Sequence, residues 1–297
     1  MKQLETISAT TDKTRIGLLG LGLMGTAICE RLIAHGYDVH VWNRTRAKAE
    51  PLIAIGAHWS DNPLAACERV IISLYSSDVV AEVIEQLQSG LRPGSILIDT
   101  TTGDAEACVA MANRLAAQGV MYLDAPISGS SDQTRKGEAT VMASGEPTAI
   151  EACADLWPVL GQRVFTVGAS GSAARIKLIS NLVLGLNRVA LAEGLAFAEA
   201  IGVDPGAALE VLKASAAYSR VMDVKGRKML DADFKPQAKL SQHLKDVRLI
   251  LRAASATGLA LPLSQTHCEL LEQAESAGCG ELDNCSIISL YQRPGNR

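Results

Sequence analysis

Lys177 and Asn181 stand four residues apart in the proline-free stretch Ser172–Ala200, SAARIKLISNLVLGLNRVALAEGLAFAEA. On a helix of about 3.6 residues per turn that spacing stacks an amine and an amide on one face. An ammonium there can stabilise a developing oxyanion and hand it a proton, while the amide offers a donor and an acceptor to hold the reacting oxygen. Taken alone, the pair fits a snorkelling lysine and a surface asparagine better. The surrounding chain decides between the two. Apolar residues occupy nearly every face of this stretch, interrupted by Lys177, Asn181, Asn187, Arg188, Glu193 and Glu199. Those charges argue against a membrane span, so the expectation is a long helix buried by protein.

A second constellation lies near the N-terminus. The apolar run 15–19 ends in Gly20, Leu21, Gly22, Leu23, Met24 and Gly25, and residues 27–35 then follow helical spacing up to Gly36. Strand, glycine turn and helix in that order form a dinucleotide-binding fingerprint. The first glycine permits the turn, the second admits a pyrophosphate to the backbone, and the third lets helix and strand pack closely. A second strand, 38–42, ends at Asn43, Arg44 and Thr45, where such folds choose their cofactor. An acid would pair with a free ribose, but an amide, a guanidinium and a hydroxyl, followed by Arg46 and Lys48, pair with a 2′-phosphate. The expected cofactor is NADP, with NADPH preferred over NADH.

The elements that must position these groups alternate strand and helix: 70–74 then 79–87, 95–100 then 104–117, and a strand at 121–124. That alternation predicts a parallel, doubly wound α/β sheet, with ligands outside the carboxyl ends of its strands. Leu74 to Ser76, Thr100 to Thr102 and Asp124 to Ser130 are therefore expected to line one crevice, although each alone is ordinary turn composition. A further strand-like run at 138–144, a helix over 147–160 and a strand at 164–167 complete this part. No convincing strand follows residue 204, where helical patterns at 205–217, 221–230, 240–258 and 262–277 predict a bundle. The expected organisation is a Rossmann-type sheet domain, 1–173, joined by the long helix to an all-α domain, 174–297.

Composition narrows the partners. A net charge of -4 and a pI near 5.8 give no broad basic surface, which argues against nucleic acid. Seven scattered cysteines without a Cys-x-x-Cys pair fit neither a disulfide framework nor a zinc site, so no metal is expected. Residues 1–13 lack an apolar signal core and an Arg-rich transit character, and are read as a short disordered lead-in to a cytoplasmic protein. The end, 291–297, is expected to fray.

Taken together, the glycine turn, Trp42 to Thr45, Asp124 to Gly129, Lys177 with Asn181, and Lys245 with Asp246 resemble the β-hydroxyacid dehydrogenases, over about residues 15–290. The resemblance implies Lys177 as the catalytic lysine and Asn181 as its partner on the substrate oxygen. It implies Ser128 and Gly129 on a substrate carboxylate, Thr102 near the nicotinamide, Lys245 approaching the cofactor, and a homodimer or homotetramer. Ser130 stands where the family usually has a second glycine, which narrows the carboxylate pocket or adds a hydroxyl. Thr101 replaces a common serine, and Gln133 to Lys136 is more polar and basic than the family's usual small residues. The expected reaction is hydride transfer between a short β-hydroxy acid and its semialdehyde or keto acid. The alternatives are an imine reductase, whose members generally lack the lysine, and a non-catalytic NADP-binding module.

Overall fold

The structure is a computed structural model and describes residues 15–291; the expectations for the lead-in and for the chain past Tyr291 lie outside the described residues. Six short strands form the main sheet: β1 (Arg15–Leu19), β2 (Asp38–Trp42), β3 (His58–Trp59), β4 (Arg69–Ile72), β5 (Ile96–Asp99) and β6 (Met121–Asp124). Their order is β3-β2-β1-β4-β5-β6, every pair parallel. Helices on both faces explain why β4 and β5 bury every residue and read as continuous apolar runs rather than alternating ones. One apolar layer gathers around Ile16, Leu18, Ile28 and Ile98, the other around Leu19, Ile72, Leu97 and Leu115. The strand order reverses between β1 and β4, which is where such sheets open for a ligand.

The run expected at 138–144 meets this sheet only through a bridge from Ser144 to Asp124 and otherwise pairs elsewhere. After β6, Pro126 cannot donate to a ladder, and the chain turns into β7 (Ile127–Ser128), which pairs antiparallel with β8 (Thr140–Ala143). β9 (Arg163–Thr166) adds to β8 in parallel, giving a second, three-stranded sheet. The helix expected over 147–160 is two helices, Pro147–Ala152 and Trp157–Leu160. Pro158 causes the break, because its ring has no N–H to give and is tolerated only in a first turn.

The chain divides into two compact units between Ala174 and Arg175. The second is built on the long helix Ser172–Ala200 with helices Pro205–Ala214, Arg227–Leu230, Leu240–Ala256 and Pro262–Ala274. A wide π-type turn at Met222–Gly226 precedes the third of these, so the run expected at 221–230 is helical with a bulge. By length and composition the long helix alone, among the described residues, could cross a membrane. Lys177, Asn181 and Arg188 are nevertheless buried, while Arg175, Glu193 and Glu199 are exposed. Leu191, Leu195, Leu244, Val247 and Leu271 fill the apolar centre.

One ion pair ties the far end of this unit together. Lys225 Nζ donates to both oxygens of Asp283, at 2.8 and 2.9 Å, and Asp283 also accepts the backbone N–H groups of Gln237 (2.8 Å) and Cys285 (3.1 Å). Burial works against the charge, yet the Lys225 ammonium and these donors hold the Asp283 carboxyl below its ordinary range. Asp283→Ala leaves that ammonium buried without its counter-charge, and the denaturant midpoint should fall by an amount worth about 3–5 kcal/mol. An unchanged midpoint would show that the pair does not hold the unit.

Candidate active site

In the first unit the glycine turn is shaped by what no side chain could share. Gly20 has φ +100°, and a Cβ there would lie 2.2 Å from the Ser73 carbonyl oxygen. At Gly25 a Cβ would lie 1.9 Å from the Gly20 carbonyl oxygen, so only glycine lets helix Leu23–Ala34 start against the strand. Gly22 is different: a Cβ there would meet nothing within 4 Å. It caps the helix without a side-chain hydrogen bond and without an acid in the first turn. Leu23 and Met24 follow as the first helical residues, so the amides from Gly22 onward form a positive helix start with open space before it, which fits a pyrophosphate.

The loop after β2 touches this turn directly. Leu21 N–H donates to Asn43 Oδ1 (2.9 Å), and Asn43 Nδ2 donates to the Thr45 carbonyl oxygen (2.9 Å). Asn43 is thus first a brace that joins the glycine turn to the loop expected to select the cofactor. Arg44 and Thr45 beside it are exposed. Arg46 lies over the Trp59 ring, 5.0 Å from its centre, a contact between β3 and this loop that no local pattern announces.

Buried acids at the carboxyl ends of β5 and β6 hold the next loops. Asp99 Oδ1 accepts the Thr101 N–H (2.8 Å), Asp99 Oδ2 accepts the Tyr122 hydroxyl (2.6 Å), and Thr101 Oγ1 in turn accepts the Leu74 N–H (3.1 Å). Burial pushes the Asp99 carboxyl up to about 6. Thr101 therefore joins the loops after β4 and β5, bringing Leu74 toward the loop that carries Thr102. Asp124, the register partner of Asp99, accepts the N–H groups of Gly171 (3.0 Å) and Ala174 (3.1 Å), fixing the first turn of the long helix to the end of β6.

Ser128 lies on β7 opposite Thr140, and Gly129 follows where a Cβ would press to 3.0 Å from the Ala139 Cβ. Ser130 is buried and caps helix Ser131–Lys136: its Oγ accepts the Gln133 N–H (3.2 Å), while Gln133 Oε1 accepts the Ser130 N–H (2.9 Å). Its oxygen is therefore committed to the helix start. Arg135 is likewise occupied, bound to Glu30 and, at 2.7 Å, to Asp132, so the basic character of this segment serves packing against the first helix.

In the second unit Lys177 and Asn181 are buried, at 6% and 5% exposure, on one face of the long helix. Asn181 Nδ2 donates to Asp246 Oδ2 (2.9 Å), and Lys245 Nζ pairs with Asp246 Oδ1 (3.0 Å). Burial pushes the Lys177 amine down to about 8; Asp246 opposes the shift and Lys245 adds to it. Asp246 is itself raised, by burial against the pull of Lys245, Lys177 and Asn181. The structure thus gathers three residues singled out in the sequence around a fourth, Asp246. Its only signal there was its place beside Lys245. An amine near neutrality can both give and take a proton at working pH, as an ordinary lysine cannot.

The chain matches two family profiles in succession. Residues 15–168 match the NAD binding domain of 6-phosphogluconate dehydrogenase, and residues 171–291 match the family described as NAD-binding of NADP-dependent 3-hydroxyisobutyrate dehydrogenase. A probable 3-hydroxyisobutyrate dehydrogenase-like 1, mitochondrial, of Arabidopsis thaliana is 31% identical, covering 97% of this chain and 88% of the relative. Glyoxylate/succinic semialdehyde reductase 2, chloroplastic, of the same plant is 28% identical over 98% of this chain and 85% of its own. Among solved structures, Psf3 in complex with NADP+ and 2-OPP is 28% identical with a TM-score of 0.88, covering 93% of this chain and 100% of that one. With both profiles in order along a parallel six-stranded sheet and a helical unit, the chain belongs to the β-hydroxyacid dehydrogenase family, as an NAD(P)-dependent hydroxyacid dehydrogenase or reductase of the 3-hydroxyisobutyrate dehydrogenase type.

Proposed function

We propose that the protein interconverts a short β-hydroxy acid and its semialdehyde or keto acid, with NADPH preferred over NADH and Lys177 as general acid and base. The observation that carries this reading is the buried Lys177 amine, pushed down to about 8 beside Asp246 and Asn181. A bound nicotinamide supplies the hydride or accepts it. In reduction the carbonyl oxygen gains negative charge, which the Lys177 ammonium stabilises and then protonates; in oxidation the neutral amine takes the hydroxyl proton. Asn181, its amide fixed by Asp246, orients the reacting oxygen. Ser128 and the backbone at Gly129 take the substrate carboxylate, while Thr102 and Lys245 act on the cofactor. The names glyoxylate/succinic semialdehyde reductase and 3-hydroxyisobutyrate dehydrogenase-like, carried by relatives, favour a small aldehyde or alcohol that bears a carboxylate.

Exposed Arg44, held next to the braced Asn43, is the proposed partner of a 2′-phosphate. The long helix also carries an exposed apolar stripe of Ile176, Ile179, Val183 and Phe197, four residues that fall on one helical face. We assign that stripe to contact with a second copy of the chain, in a dimer or tetramer.

Lys177→Ala should leave NADPH binding near normal and lower kcat by about 10²–10⁴-fold, and Lys177→Arg should not restore it, because a guanidinium keeps its charge but does not release a proton. The pH profile carries the same sign. Reductive turnover, which needs the protonated amine, should fall as pH rises through about 8, and oxidative turnover should rise through the same value. A flat profile there, or a rate restored by arginine, would remove Lys177 from proton transfer. Arg44→Ala should erase most of the preference for NADPH, a contact worth about 1.5–3 kcal/mol or roughly ten- to a hundredfold in affinity. Equal affinity of the unaltered protein for both nucleotides would refute the assignment. Sedimentation at micromolar concentration should show dimer or tetramer, and Ile179→Glu should shift it toward monomer; a monomeric parent protein would leave the stripe without that role.

A further inference from the structure

The helical unit buries more cationic than anionic side chains. Among the described residues its interior holds Lys177, Arg188 and Lys225 against Asp246 and Asp283. Asp283 is bound by Lys225 and backbone amides and Asp246 by Asn181 and Lys245, so both acids reach Arg188 through their charge while their printed contacts go to other groups. Arg188 is the buried cation whose donors are not met. It is 4% exposed, and neither its Nε nor its Nη1 has a hydrogen-bond partner among the described residues. A guanidinium stays protonated at any working pH, so both atoms remain donors. Enclosing such donors and their charge without an acceptor is strongly unfavourable, and native interiors rarely leave them so.

A second polar group lies one turn back on the same helix face. A Cβ at Gly185 would fall 2.6 Å from His243 Nε2 and 2.7 Å from His267 Cε1, so the missing side chain makes room for two imidazoles whose centres are 5.2 Å apart. His243 is as buried as Lys177, and its Nε2, which faces Gly185, also has no partner among the described residues. Burial, then the charge of Arg188, holds His243 well below its ordinary range, and the same two causes bring His267 down to about 4. Both rings are neutral near pH 7, and a neutral imidazole can turn an N–H toward an acceptor.

We propose that Arg188 and His243 hold a small monovalent inorganic anion, chloride in the cell, inside the helical unit. Water would satisfy the donors but leave the surplus charge in a low-dielectric interior; a single negative charge answers both. Lys177 also bears on His243, so the ion would belong to the same electrostatic neighbourhood as the proposed acid and base.

Bromide is the probe. Crystals of the unaltered protein soaked in sodium bromide should show, at the bromine edge, an anomalous peak beside Arg188 Nε and Nη1. In solution, bromide or chloride added against gluconate at fixed ionic strength should raise the unfolding temperature along a saturating curve, as binding to the folded state alone requires. Arg188→Met should abolish both the peak and the curve. Water alone at the position overturns the proposal, and so does a peak without saturable stabilisation, which marks an adventitious ion only. A halide response unchanged in Arg188→Met overturns it too. Should that variant fail to fold, the map and titration of the unaltered protein decide.

Discussion

Positive charge is hard to enclose, and the helical unit is arranged around doing so. A lysine at Lys177's depth cannot stay ionised without a nearby carboxylate, and it cannot be tightly paired if its proton is to move. Asp246 meets both demands by dividing itself. Its oxygens meet Asn181 and Lys245, and its charge also acts on Lys177. The net effect of burial and these charges is an amine brought down to about 8. Lys225 shows the contrasting solution, with both oxygens of Asp283 bound to one ammonium. Within a single unit, one buried lysine is bound by both oxygens of a carboxylate and another has its pKa brought down to about 8.

The sheet unit uses buried acids for a different purpose. Asp99 and Asp124 end neighbouring strands and face one another in register, yet their oxygens are occupied by N–H groups and a tyrosine hydroxyl. They convert the ends of strands into fixed starting points for loops and for the long helix. Loops that would otherwise wander are tied to the most rigid part of the unit, where displacement of a functional group costs most.

Strongly periodic or motif-bearing stretches were legible in the sequence. The glycine turn, the parallel strands, the long helix and the Lys177–Asn181 spacing follow from local rules that tertiary contacts did not override. What stayed hidden depended on partners far along the chain. β3 is two residues long and exists because His40 and Val41 offer it an edge. β7 is a strand because Ile127 meets Val141. Ser130 reads as an added hydroxyl in a pocket until its oxygen is found capping a helix, a role that the Ser-x-x-Gln spacing with Gln133 does encode. Asp246, Arg188 and His243 lie on different helices from some or all of their neighbours, and a one-dimensional pattern cannot say which helix faces meet.

The oxygen that Asn43 gives to the Leu21 amide is one that aspartate also possesses, whereas its Nδ2 bond reaches only the neighbouring Thr45 carbonyl. Exchange of amide for carboxylate would therefore keep the brace on the glycine turn while adding a negative charge to the loop. The structural duty of this position is indifferent to that exchange, so the charge carried by the loop after β2 is free to change without disturbing the turn that the loop braces.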